Sequence, residues 1–499
     1  MNTAYDVTAV VLVVLAAVLI GAFGIRLSRT TSDFYVASRT VSPLWNASAI
    51  GGEYLSAASF LGIAGLILAY GADMLWLPVG WTGGYLVLLV LVSAPLRRSG
   101  AYTLPDFAEA RLESMAVRRL AGVLVVLIGW LYLMPQFQSA GLVLGAITGA
   151  PDWAGGLLVA AVVAVNVMSG GMRSITFVQA FQYWLKLTAL AVPLVFLLLA
   201  WRSGGAPGLS AHDTATWALP LASGKEYGLY STYSLILATF LGTMGLPHVL
   251  VRFYTNPDGR AARRTTLVVL SLLGAFYLLP AIYGALGRIY LPELRGSDMV
   301  VLTLPGRLVG GVAGDLLTSL VTAGAFAAFL STSSGLTVSV AGVIGQDILR
   351  GGVRSFRTAA MLAVTVPLVL ATSARSLPVA DVVGLAFAVA ASSFCPLLVL
   401  GIWWRRLTST GAMAGLLAGG GLACGAVLAT IVGGPYTGLA GALLAQPAAW
   451  TVPVAFAVMI VVSLLTPARI PPGVARTMVR LHTPETLDLD RGDWRPRSS

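Results

Sequence analysis

A carboxylate, a pair of glycines and a run of hydroxyl side chains stand out against the apolar background of this chain. Glu53 follows Gly51-Gly52 in the middle of the apolar stretch from Trp45 to Gly71. A charged side chain at bilayer depth costs roughly 2.5–3.5 kcal/mol even on the lenient insertion scale, so it faces a cavity or a partner. Adjacent glycines weaken the helix around it. An opened backbone is tolerated at that depth only where it lines protein or water, and its freed carbonyls are ligands for a hard cation. The stretch therefore reads as half of an ion and substrate site, with Glu53 the candidate for coupling.

Two further stretches carry chemistry. Ser331, Thr332, Ser333 and Ser334 put hydroxyls into one helical turn. Hydroxyl and carbonyl oxygens suit an alkali cation, but serine and threonine also bond to their own helix or to a neighbouring one. In FLGTMGLPHVLVRFY, Pro247 removes a backbone donor while Gly242 and Gly245 soften the same region, which predicts a second helix break. His248 beside it is expected to hydrogen-bond at the helix end. The other histidines, His212 and His482, lie in polar segments, so no metal cluster is expected. Gln136 and Gln138, beside Pro135, either bind a carboxylate or bond between helices.

The elements that must position these residues follow from composition. The 499 residues are 57% hydrophobic and 10% charged, with a mean hydropathy of +0.85, which points to a polytopic membrane protein. About thirteen runs are long enough to cross the hydrocarbon core. The first has Arg26 and Arg29 after it and no basic segment before it, so it reads as a helix rather than a signal peptide. The net charge of +11 fits basic cytoplasmic loops, not nucleic-acid binding. With the N-terminus outside and the C-terminus cytoplasmic, only Arg202, Lys225, Arg288, Arg295, Arg307 and Arg375 lie externally, and Lys186 falls within a span.

The two predicted breaks lie five spans apart. An odd number of spans per unit inverts successive units, so the fold expected is all-α with a 5+5 inverted repeat. The divisions are a leading helix (1–29), two five-helix units (30–200 and 201–403), two peripheral helices (404–466) and a charged cytoplasmic tail (467–499) expected to be largely disordered. Gly411, Gly415 and Gly419 share one helix face and permit close packing. Cys395 and Cys424 sit in separate apolar runs and read as packing residues.

Taken together, DFYVASRTVSPLWNASAIGGEYLSAASFLG, RRSGAYTLPDFAEARLE, GGMRSITFVQ, GTMGLPHVLVRFYT and FLSTSSG followed by GQDI resemble the sodium:solute symporter family, in its cation/acetate or monocarboxylate branch. The resemblance implies a LeuT-type fold with an extra leading helix, alternating access, and sodium as the coupling ion. It places sodium on the carbonyls of Gly52, Leu55 and Ala328 and the hydroxyls of Ser331 and Thr332. Several relatives carry an aspartate for a second sodium three residues before the glutamine of the GG…TD..Q segment. That place is Thr176 here, before Gln179, so no second sodium of that kind is expected.

Ser56, Gln136, Thr239, Thr243 and Pro247 are the substrate-site candidates. The function expected is inner-membrane uptake of a short monocarboxylate such as acetate, propionate or pyruvate. Alternatives are a proton-coupled carrier on the same scaffold, a sodium symporter of an amino acid or sugar, and a transporter-fold sensor. No enzyme is expected, because nothing resembles an activated nucleophile or a phosphate-binding loop, and no cofactor beyond the ion is implied. The oligomeric state is left open.

Overall fold

The computed structural model describes residues 2–25, 41–221, 226–349, 352–373, 379–433 and 436–484. The segment from Asp33 to Thr40 and residues 485–499 lie outside the described residues. The tail departs from expectation: instead of disorder, its described part holds the Val474–His482 helix, with Leu481 buried and Arg480 Nε donating to the Arg98 carbonyl at 3.0 Å. The described chain is all-helical. Eleven helices are long and apolar enough to cross a membrane, or twelve when one bent pair is taken as a single span. The difference from about thirteen has a geometric reason. Ala58–Arg98 is one continuous helical stretch of 41 residues, about 60 Å at 1.5 Å per residue and twice the hydrocarbon thickness. At Gly71 its backbone turns through φ 78°, which ends one helix and starts a 3-10 turn, so two crossings share that stretch.

Both expected breaks are present. The Pro43–Tyr54 helix ends at Leu55 (φ −75°, ψ 84°), and helical structure resumes before Ala58–Gly62. The second break separates Gly228–Gly245 from Pro247–Phe253, with Leu246 extended between them and a bend of 42°. Pro247 opens the second segment, where its missing N–H is not needed. Around these breaks stand the hydroxyl-bearing helix Gly311–Val343, the long Asp152–Ser203 helix and the Val379–Trp403 helix.

The core at the breaks is dense, whereas Leu12, Leu15, Leu19, Val461 and Leu464 present apolar surface outward, as lipid-facing helix surfaces do. Close approach explains the glycines that matter. A Cβ on Gly52 would run into the Gln179 carbonyl, and one on Gly335 into the Glu53 carboxyl. The Gly411, Gly415 and Gly419 face packs as expected, with Gly411 and Gly415 against Met459 and Gly419 against Ser392 and Ala455.

Candidate functional site

Opening the first helix exposes backbone groups that its own turns no longer satisfy, and side chains from distant elements take them up. The Ala57 amide donates to Gln136 Oε1 at 3.0 Å, and Gln136 Nε2 donates to the Tyr132 carbonyl at 3.4 Å. Gln136 is therefore committed to the break. Gln138 bonds between helices, donating to the Ala371 carbonyl at 3.2 Å. On the carbonyl side, Thr332 Oγ1 donates to the Glu53 carbonyl at 2.6 Å.

Lys186 reaches the same place from the Asp152–Ser203 helix. Its Nζ donates to the Gly52 carbonyl at 2.5 Å, to the Leu55 carbonyl at 2.7 Å and to Ser331 Oγ at 3.0 Å. An ammonium has three N–H donors, and each has an acceptor here. Ser331 Oγ in turn donates to the Ala328 carbonyl at 3.1 Å. The residues expected to ligate sodium thus come together as one cradle, and a lysine ammonium is seated in it. A free sodium ion about 4 Å from that ammonium would meet about 4 kcal/mol of repulsion at an effective dielectric constant near 20.

Glu53 is held from the other broken helix. Its Oε2 accepts from Arg252 Nε at 2.7 Å, and Arg252 also donates from Nη1 to Thr176 Oγ1 at 2.7 Å and from Nη2 to Gln179 Oε1. Gln179 Nε2 passes the chain on to the Ser331 carbonyl at 2.7 Å. Asn46 Nδ2 donates to the Arg252 carbonyl at 3.2 Å. The coupling candidate is therefore an ion-paired carboxylate, and Thr176 accepts from the same guanidinium. Glu53, Arg252 and Lys186 are 1%, 0% and 0% exposed. Among the described residues, these three set two basic side chains against one carboxylate, a surplus of one positive charge when both bases are protonated.

Beside the break the aromatic side chains pack against one another. Ring centroids stand 5.6 Å apart for Trp81 and Phe387, 6.0 Å for Tyr132 and Phe387, and 4.9 Å for Tyr54 and Tyr85. Ser56 Oγ meets no partner at hydrogen-bond geometry among the described residues, and Tyr132 is its polar neighbour. His248 departs from expectation. Neither ring nitrogen has a hydrogen-bond partner among the described residues, and the ring meets Tyr132 edge-on with centroids 5.3 Å apart.

Thr239 and Thr243 are more committed than a substrate contact would be. Thr239 Oγ1 donates to the Leu235 carbonyl at 2.8 Å and Thr243 Oγ1 to the Thr239 carbonyl at 2.8 Å, while Tyr54 and Thr243 share a hydrogen bond of 2.7 Å. Pro247 is buried at the start of its segment. Arg252 and Tyr132 were not named from the sequence, and Lys186 and Gln179 were named by position without a role. Lys186 carried a usable signal, because an ionisable residue inside a span marks a functional site by default.

The family model of the sodium:solute symporter family matches residues 34–419. An uncharacterised symporter of Bacillus subtilis, YwcA, is 33% identical over 416 residues, covering 80% of each chain. A monocarboxylic acid transporter of Corynebacterium glutamicum is 33% identical over 440 residues, covering 79% of this chain and 78% of that one. Among solved structures, a Na+-coupled sialic acid symporter in a substrate-bound outward-open state superposes with a TM-score of 0.72 at 14% identity, over 92% of this chain and 98% of that one. Mhp1, a nucleobase-cation-symport-1 transporter in a closed conformation, gives 0.62 at 13% identity, over 90% and 98%. The fold is that of LeuT-type transporters.

Proposed function

This chain belongs to the sodium:solute symporter family, and from that membership and the charge of its buried site we propose that it imports a short monocarboxylate by alternating access. Acetate, propionate and pyruvate are the substrates proposed. The observation that carries this reading is the pair of buried basic side chains, Arg252 and Lys186, set against the one carboxylate of Glu53 beside the packed aromatic rings. Charge at membrane depth is stable only when compensated, and a carboxylate anion would bring the site to neutrality. Ser56 and His248 carry unpartnered polar atoms next to Tyr132, and Trp81 and Phe387 pack there as apolar surface. The likeness to a monocarboxylic acid transporter supports the same class.

Transport is secondary active and draws on a cation gradient across the cytoplasmic membrane, with the N-terminus outside and the C-terminus cytoplasmic. Sodium is the coupling ion that the family suggests. A second reading, a proton-coupled carrier on the same scaffold, is favoured by one observation, the lysine ammonium on the atoms expected to hold sodium. Counterflow in liposomes with labelled acetate, propionate, pyruvate, proline and glucose tests the substrate class. Exchange of the monocarboxylates alone is expected, and exchange of proline or glucose in their place would refute it.

A further inference from the structure

The atoms around Lys186 come from two elements that alternating access must bring together and part. Gly52 and Leu55 lie at the end of the Pro43–Tyr54 helix, Ser331 lies on Gly311–Val343, and the ammonium ties them from a third helix. Every donor and acceptor in this set is used. The Gly52 and Leu55 carbonyls and Ser331 Oγ accept from Nζ, Ser331 satisfies the Ala328 carbonyl, and Thr332 satisfies the intervening Glu53 carbonyl. A sodium ion seated here must expel the ammonium and leave it buried without acceptors.

The geometry points to Lys186 as the resident cation of this cradle, a tethered ammonium doing the work that a bound sodium ion would otherwise do in joining the first broken helix to Gly311–Val343. A second tethered cation stands nearby: Thr176 and Gln179 accept from the Arg252 guanidinium, and Gln179 Nε2 donates to the Ser331 carbonyl. The inference rests on the transport reading and specifies its ion site. Sodium is not a ligand of the cradle, and closure of the break does not require it.

The test uses the purified full-length protein in detergent, titrated with sodium chloride against choline chloride at constant ionic strength while its melting temperature is followed. The wild type is expected to show no sodium-specific shift that Ser331→Ala removes. Lys186→Ala empties the cradle and should gain a saturable, sodium-specific upward shift, which Ser331→Ala in the same background should remove. A saturable sodium-specific shift in the wild type that Ser331→Ala abolishes overturns the inference. So does a folded Lys186→Ala protein without a sodium response, because the vacated atoms would then be no cation site.

If Lys186→Ala does not fold, binding of radioactive sodium to the wild type and to Ser331→Ala decides: saturable binding that Ser331→Ala abolishes refutes the inference, and sodium binding equal in the two upholds it. Failed monocarboxylate counterflow would leave these titrations standing, and a wild-type sodium shift would leave the substrate class standing.

Discussion

Two charged clusters join distant parts of this chain, and they are built in opposite senses. At the first helix break, Arg252 and Lys186 face the single carboxylate of Glu53, with the Arg252 and Glu53 side chains 0% and 2% exposed. Near the ends of the spans, Arg118 faces three carboxylates. It meets Asp106 Oδ1 at 2.7 Å, Asp347 Oδ1 at 2.8 Å and Glu109, with its side chain 21% exposed. The first cluster is dry and short of negative charge. The second is partly wet, and its excess negative charge is screened by water. A buried imbalance calls for a ligand of opposite sign, whereas a hydrated one serves as a fastening. The Arg118 cluster ties the Leu104–Leu112 helix, capped by Thr103 and Asp106, to the start of Met115–Thr148 and to Asp347.

Breaking the central pair should have the largest effect. Arg252→Ala leaves Glu53 buried without its guanidinium, and removing one partner of a buried pair destabilises by about 3–5 kcal/mol. Loss of transport with a much lower melting temperature is expected, and Arg252→Lys should not restore either, since a lysine cannot reach Glu53, Thr176 and Gln179 together. Wild-type melting in the alanine variant would show that the pair is dispensable.

Gly52→Ala sharpens the comparison without touching charge. Its Cβ would press on the Gln179 carbonyl, whereas Gly421 and Gly425 have open space at the same point. Overpacking typically costs about 1–3 kcal/mol, and here it also displaces a carbonyl of the cradle. Uptake should be abolished for Gly52→Ala and retained for Gly421→Ala, as measured in proteoliposomes. Equal loss at both would mean that the cradle has no special demand on space.

Arg118→Ala should fall between the central pair and an ordinary surface contact, at about 1–3 kcal/mol. It should also raise thiol labelling of a cysteine introduced at Tyr102, measured in inside-out vesicles. Labelling unchanged from the wild type would deny that the cluster fastens this side.

The smallest effect belongs to Asp213 in the short Ala211–Thr216 helix, which accepts from Arg288 Nε at 3.0 Å. The Arg288 hydrogen bond holds its carboxyl below the usual range. Its contribution is therefore present above the unfolded value near 4 and lost as pH falls through the lower folded value. Asp213→Asn should cost under about 1 kcal/mol and flatten that acid limb in a melting series.

Both breaks and the hydroxyl helix were legible in the sequence, because glycine, proline and an intramembrane carboxylate act locally on the backbone. The pairing of charges was not. Lys186 meets Leu55 across 131 positions and Arg252 meets Glu53 across 199, and no local pattern encodes such a meeting. Thr239, Thr243 and Gln136 looked available because a sequence lists polar groups without showing which backbone atoms already occupy them. The close packing at Gly52 and Gly335 was hidden for the same reason, since the facing atoms belong to other helices.

The central claim is that the buried site takes a carboxylate because its own charges leave one positive charge uncompensated. Titrating the purified wild-type protein with acetate and with acetamide, a neutral molecule of nearly the same shape, tests it most directly. The account predicts a saturable rise in melting temperature with acetate and none with acetamide. An equal rise with both, or with acetamide alone, would contradict it.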